Sequence, residues 1–266
     1  MRLRPISIIQ YQNVSPRPEL NRLWLSLEAF KKQLEYLSKN NFQVLGLGDA
    51  INYMERKKEV GKLRPISITF DNGFMDFYEY VLPVLAEYSC PATVLVSPPK
   101  VGHHVTMAGE KVYYLTWSLL KDLSKAGITI GAYEDQTWNI NDISESTLLD
   151  HIRRYKETLE SKLGIKVLYF GVKEGVPNPR IRDFLISEGY RAFLTQCPTN
   201  TKADLYAIGR IQVDDDDFNI FLTKISRTYL FFKDRKSWKY IRDYSLDKAA
   251  HKLSESYDKI RKRKSH

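Results

Sequence analysis

The chain of 266 residues has two cysteines, Cys90 and Cys197, and no run approaching the roughly 20 apolar residues that a membrane-spanning helix needs. Two cysteines exclude a disulfide framework, and their spacing excludes a cysteine metal site. Both read as free thiols in apolar surroundings. The opening MRLRPISIIQYQNV has two arginines but only a short apolar stretch and no small-residue cleavage site. The sequence as it stands is therefore expected to be cytoplasmic, or extracytoplasmic if an export segment has been removed. Internal repeats and low-complexity segments are also missing. What is abundant is positive charge: the net charge is +9, part of it in the closing KIRKRKSH. Such a tail is ordinarily solvated, with weak attraction to anionic polymers or surfaces as its functional alternative.

From the N-terminus to about residue 213, apolar strand patterns alternate with helical ones. RPISIIQYQNV, FQVLGL, ISITF, PATVLVS, ITIGAY, VLYFGV, YRAFLT and LYAIGRIQV read as strands. SLEAFKKQLEYLSKNN reads as a helix capped by Ser26, with Phe30, Leu34 and Leu37 on one face. Helices are also predicted in GDAINYMERKK, MDFYEYVLPVLAEYS, TWSLLKDLSKAG, SESTLLDHIRRYKETLESKLG and NPRIRDFLISEG. Strands separated by helices of this length need crossovers, hence a mostly parallel sheet, and this many units predict a closed or nearly closed α/β barrel. Residues 1–213 are expected to form the barrel. Residues 214–266 are expected to form a basic helical C-terminal extension packed on the same domain.

In such a barrel the turns after the strands carry the site, which places Asp71 and Asn72 of TFDNG on that face. The stretch SITFDNGFMDFYEYVLPVLAEYSCPATVLV resembles the first motif region of the polysaccharide deacetylases, carbohydrate esterase family 4. FKKQLEYLSKNNFQVLGLGDAINYM, LTWSLLKDLSKAGITIGA and NPRIRDFLISEGYRAFLT agree with that family in order and spacing, over roughly residues 5 to 213. The resemblance implies a distorted (β/α) barrel of the polysaccharide deacetylase type and metal-assisted deacetylation of a carbohydrate. In the family a TFDDG-like turn supplies the general base and a metal-binding Asp. Two histidines of an H-x-x-x-H motif complete the ligands, an arginine of an R-x-x-P motif positions the base, and a late histidine is the acid.

Position by position, the ligands are missing. Asp71 holds the base position, but Asn72 replaces the metal-binding Asp, Tyr133 and Thr137 stand at the histidine positions, and Gly171 stands at the arginine. Gln12 occupies a first-strand position where many members have histidine, and His251 lies in a basic segment without the expected strand before it. Bulk water has a pKa near 15.7 and zinc-bound water about 7, so losing the metal costs about 12 kcal/mol in forming hydroxide. A lone carboxylate does not recover that.

The expected function is therefore a deacetylase-like protein without metal-dependent activity. Asp71 is a remnant of the base, and a glycan or another partner binds in the former cleft. Asn72, Tyr133, Glu134 and Trp138 are the candidate substrate-binding residues, with no metal and no cofactor. The expected partner is carbohydrate, in particular an N-acetylated glycan. An active N- or O-deacetylase with zinc or another divalent cation on substituted ligands is the alternative. His103 or His104, Glu134, Asp135 and the run Asp214 to Asp217 are its sources, although that run also reads as a helix cap. His151 reads as a surface residue, and Trp117 as packing. A nucleic-acid or anionic-surface role for the basic C-terminus ranks last.

Overall fold

A computed structural model describes residues 3–21, 23–196, 204–214 and 217–226, with the side chains of 136–138 outside that description. The chain divides into two compact units, Met1–Asp214 and Asp215–His266. In chain order the first unit contains β1 (Ser7–Tyr11), β2 (Asn13–Ser15), β3 (Trp24–Ser26), α1 (Leu27–Lys39), β4 (Phe42–Leu45), α2 (Leu47–Met54) and β5 (Arg64–Phe70). A π-helical turn (Phe77–Val81), α3 (Leu82–Glu87), β6 (Thr93–Val96), β7 (His104–Met107), β8 (Glu110–Tyr113), α4 (Trp117–Lys125) and β9 (Thr129–Asn139) follow. Then come α5 (Glu145–Leu163), β10 (Tyr169–Glu174), α6 (Pro179–Ser187), β11 (Ala192–Thr195), β12 (Ile208–Gly209) and β13 (Ile211–Gln212). In the second unit, α7 (Phe218–Lys224) is capped by Asp217, whose side chain accepts from Asn219 N–H at 2.7 Å. The rest of the predicted basic extension, including KIRKRKSH and His251, lies outside the described residues.

The main sheet runs β12-β11-β10-β9-β6-β5-β1-β13, with β4 also paired to β5, and every pairing in it is parallel. Its two ends, β12 and β13, are separated in sequence by Arg210 alone. The segment Ile208–Gln212 thus pairs with β11 through its first half and with β1 through its second, which closes the path into an eight-stranded barrel. This is the predicted (β/α) barrel.

Alternation along the strands sorts the side chains into two sets. One set meets inside: Ile8, Leu95, Tyr133, Tyr169, Leu194 and Ile208 share a core with Leu47, Ala50, Ile51 and Met54 of α2, whose apolar face they cover. The other set faces the helices. Tyr11 and Phe70 stack at 5.2 Å and meet Phe30 of α1, while Phe70 meets Phe77 at 4.9 Å. Each such buried side chain stabilises the fold by about 1.5–3 kcal/mol relative to exposure.

Local chemistry sets the element ends. Ser26 accepts from Ala29 N–H at 3.2 Å, as the sequence predicts, and Thr116, Ser144 and Asn178 cap α4, α5 and α6 in the same way. The helix predicted after TFDNG begins instead as a π turn, with Leu82 N–H donating to Phe77 O. The widened turn accommodates Pro83, which has no N–H and whose ring crowds the preceding turn of an α-helix. Two features have no counterpart in the predicted pattern: the parallel pair β2–β3 and the antiparallel hairpin β7–β8. Trp24, Phe74, Val112 and Tyr114 form a separate small core there, with Phe74 stacked on Tyr114 at 4.9 Å.

Candidate functional site

At the carboxyl end of β5 the chain turns sharply. Asn72 and Gly73 both adopt left-handed backbone, at φ 67° and 69°, and Gly73 N–H donates to Asp71 O at 2.8 Å. Asparagine is among the few side chains that tolerate this conformation, and a Cβ on Gly73 would lie 2.6 Å from Val96 Cγ1. The Asn-Gly pair therefore aims Asp71 into the barrel while Asn72 stays half-buried at its rim.

Asp71 is 1 % exposed. Arg210, whose side chain is 0 % exposed, grips it with both arms: Nη1 to Oδ1 at 2.6 Å and Nη2 to Oδ2 at 3.1 Å. The same Nη2 donates to Val172 O, within β10, at 3.0 Å. Gln10 Nε2 on β1 donates to Asp71 Oδ2. The Tyr133 phenol on β9 stands near Asp71, and burial, reinforced by the Asp71 charge, pushes it well above the usual tyrosine range. The carboxylate thus receives a bidentate guanidinium and an amide, both enclosed, with the phenol beside them.

Gly171 leaves space that is already filled. A Cβ there would lie 2.4 Å from Leu95 Cδ1 and 3.3 Å from the Tyr133 ring, and one on Gly131 would lie 2.5 Å from Leu95 Cδ2. Leu95 and Tyr133 occupy the centre of the barrel beneath Asp71.

The other candidates fall elsewhere. Glu134 is 0 % exposed and points away from Asp71's partners, toward α5, where its Oε2 lies 2.5 Å from His151 Nδ1. His151, expected at the surface, is mostly buried and stacks on Tyr155 at 5.0 Å. Asp135 pairs with Lys100, which also approaches the Tyr114 ring at 5.4 Å. His103 and His104 lie exposed at the β7–β8 hairpin, and Asp214 accepts from Gln212 Nε2 at 2.6 Å. Gln12 is buried beyond the end of β1, and Trp117 is half-buried at the start of α4. The Thr137 and Trp138 side chains, and Asp215 and Asp216, lie outside the described residues. Sequence reasoning missed Arg210 and Gln10. A single arginine in AIGRIQV carries no local signal of its role.

These residues do not fit the family's metal. Zinc takes three or four nitrogen, sulfur or carboxylate donors in tetrahedral array. Among the described residues no group of three or more His, Cys, Asp or Glu side chains is gathered. Beside Asp71 stand instead a fixed cation, a neutral amide and a phenol held in its protonated form.

Comparisons with known proteins agree with the architecture. A family model described as polysaccharide deacetylase matches residues 58–193, half of the chain and ending before Arg210. YxkH of Bacillus subtilis (strain 168), whose name refers to the same activity, is 22 % identical over 210 residues, covering 78 % of this chain and 71 % of that protein. IcaB from Ammonifex degensii superimposes with a TM-score of 0.70 at 20 % identity, over 85 % of this chain and 98 % of its own. The Streptococcus pyogenes deacetylase PplD, solved with acetate, gives 0.65 at 18 % identity, over 79 % and 93 %. With its barrel, its TFDNG turn and the matched span of 58–193, the chain belongs to the polysaccharide deacetylase family.

Proposed function

We propose that this chain is a non-hydrolytic member of the polysaccharide deacetylase family that binds carbohydrate, in particular an N-acetylated glycan, at the carboxyl end of its barrel. One observation carries the reading: around Asp71 stand Arg210, Gln10 and Tyr133, and among the described residues no group of three or more His, Cys, Asp or Glu side chains is gathered to hold a metal. A general base must reach the proton that it removes, within about 3 Å or through one water. Asp71 is enclosed, at 1 % exposure, and a lone carboxylate does not replace the metal in forming hydroxide. The donors that would polarise an acetamide carbonyl are committed to Asp71 as well.

Carbohydrate binding is supported by family membership and by the rim. Asn72 stands half-buried there with an amide that both donates and accepts, which suits sugar hydroxyls and N-acetyl groups. Trp138 supplies an aromatic face in this proposal. The test is to incubate the purified protein with N-acetylglucosamine oligomers, measuring released acetate, bound metal and ligand-induced NMR shifts in parallel. Shifts without acetate release are expected, with Asn72→Ala weakening binding. Catalytic acetate release that disappears in Asp71→Asn would sink the proposal.

A further inference from the structure

Arg210 sits at the one place where the barrel's ends meet. Its neighbours Ile208 and Gly209 pair with β11, while Ile211 and Gln212 pair with β1. Its own N–H donates to Thr195 O at 2.7 Å. From this seam the guanidinium crosses the interior to Asp71 after β5 and Val172 on β10, and its Nη1 lies 3.5 Å from Thr69 Oγ1. Strands β5, β10 and the closing segment are therefore tied through one planar cation, and β1 joins through Gln10.

We infer that Arg210 takes over, from the closing seam, the carboxylate-holding place that the family gives to an arginine at the position of Gly171, and that it thereby locks the barrel's end strands together. Three observations converge on it. The base position keeps its carboxylate, which when enclosed demands a positive partner. The guanidinium's planar fork matches that carboxylate with two bonds, a geometry that lysine cannot reproduce. The segment that supplies it is otherwise held by two-residue pairings on each side, so its register depends on what its side chain grips. The assignment goes beyond carbohydrate binding and holds whether or not a glycan binds.

The experiment is chemical rescue with the full chain. Arg210→Ala leaves the Asp71 charge enclosed and unpaired, and its melting temperature is expected to fall by about 10 °C. Millimolar guanidinium, far below the molar concentrations that unfold proteins, is expected to recover part of that loss. Urea or sodium chloride at the same concentration should not, and Arg210→Lys should remain well below wild type. Removing both partners in Asp71→Asn/Arg210→Met should be milder than Arg210→Ala alone, because no uncompensated charge remains.

An Arg210→Ala variant within about 2 °C of wild type would overturn the inference. Equal rescue by urea or salt would do the same. If Arg210→Ala does not fold, the double variant decides: a folded double variant supports the pairing and an insoluble one refutes it. Acetate release is a separate readout, so failure of rescue and failure of the non-hydrolytic reading are distinguishable.

Discussion

Replacing Gly171 with alanine adds one methyl group at the position where the family carries its base-positioning arginine. That methyl would lie 2.4 Å from Leu95 Cδ1 and 3.3 Å from Tyr133 Cδ2. Leu95 is fully buried, and its other methyl already fills the matching hollow over Gly131, where a Cβ would lie 2.5 Å away. Rotating Leu95 away from one glycine therefore drives it toward the other or toward the Tyr133 ring. Overpacking of this kind destabilises by about 1–3 kcal/mol, a fall of roughly 3–10 °C in melting temperature for a domain of this size.

The assay is urea unfolding followed by tryptophan fluorescence, with a lower midpoint and an unchanged slope expected. Shortening the obstructing side chain in Gly171→Ala/Leu95→Ala should cost less than the two single changes added together, by about 1 kcal/mol or more. Gly171→Ala within about 0.5 kcal/mol of wild type, or strict additivity with Leu95→Ala, would refute the reasoning. By the same logic Gly171→Arg should prevent folding, because the new guanidinium meets a filled centre and an Asp71 already paired.

Burial raises the phenols of Tyr11, Tyr133 and Tyr190 above their ordinary value of 10.0, so the fold favours their neutral forms. Their contribution is complete below that unfolded value and is lost as pH rises from it toward the folded values, by about 4 kcal/mol per pH unit for the three together. Urea midpoints should therefore drop above pH 10, less steeply in Tyr133→Phe; an unchanged slope in that variant would contradict the assignment. His151→Ala should remove the imidazole that Glu134 Oε2 meets and lose about 1–3 kcal/mol, while His151→Gln should lose less, as read by thermal unfolding. Equal losses would show that the hydrogen bond contributes nothing. The Cys90 thiol is pushed up to about 11 by burial, so in Cys197→Ser it should react with thiol reagents at neutral pH roughly two orders of magnitude more slowly when folded than in urea. Equal rates would contradict the burial.

The barrel was legible because its signals are local and repeated. Apolar strand runs such as ISITF and PATVLVS are strands, and Ser26 caps the helix that its position predicts. The β2–β3 pair and the β7–β8 hairpin were not legible, since three- and four-residue strands carry too little periodicity and draw their stability from contacts such as Phe74 with Tyr114. His151 looked like one more polar residue on a charged helix. What buries it is the Glu134 carboxylate, 17 positions away and on another element.

The sequence by itself determined the order of strands and helices, the turn that aims Asp71 inward, and the substitution of Asn72, Tyr133 and Gly171 at the family's functional positions. These follow from side-chain period, capping and backbone preference, which act over a few residues. Only the tertiary structure decided what Asp71 does. Arg210 lies 139 positions away, and it reaches the carboxylate because the barrel closes at that residue and turns its side chain across the interior. A charge pair of that separation leaves no periodic trace in a sequence; it exists once eight strands have brought both ends of the sheet together.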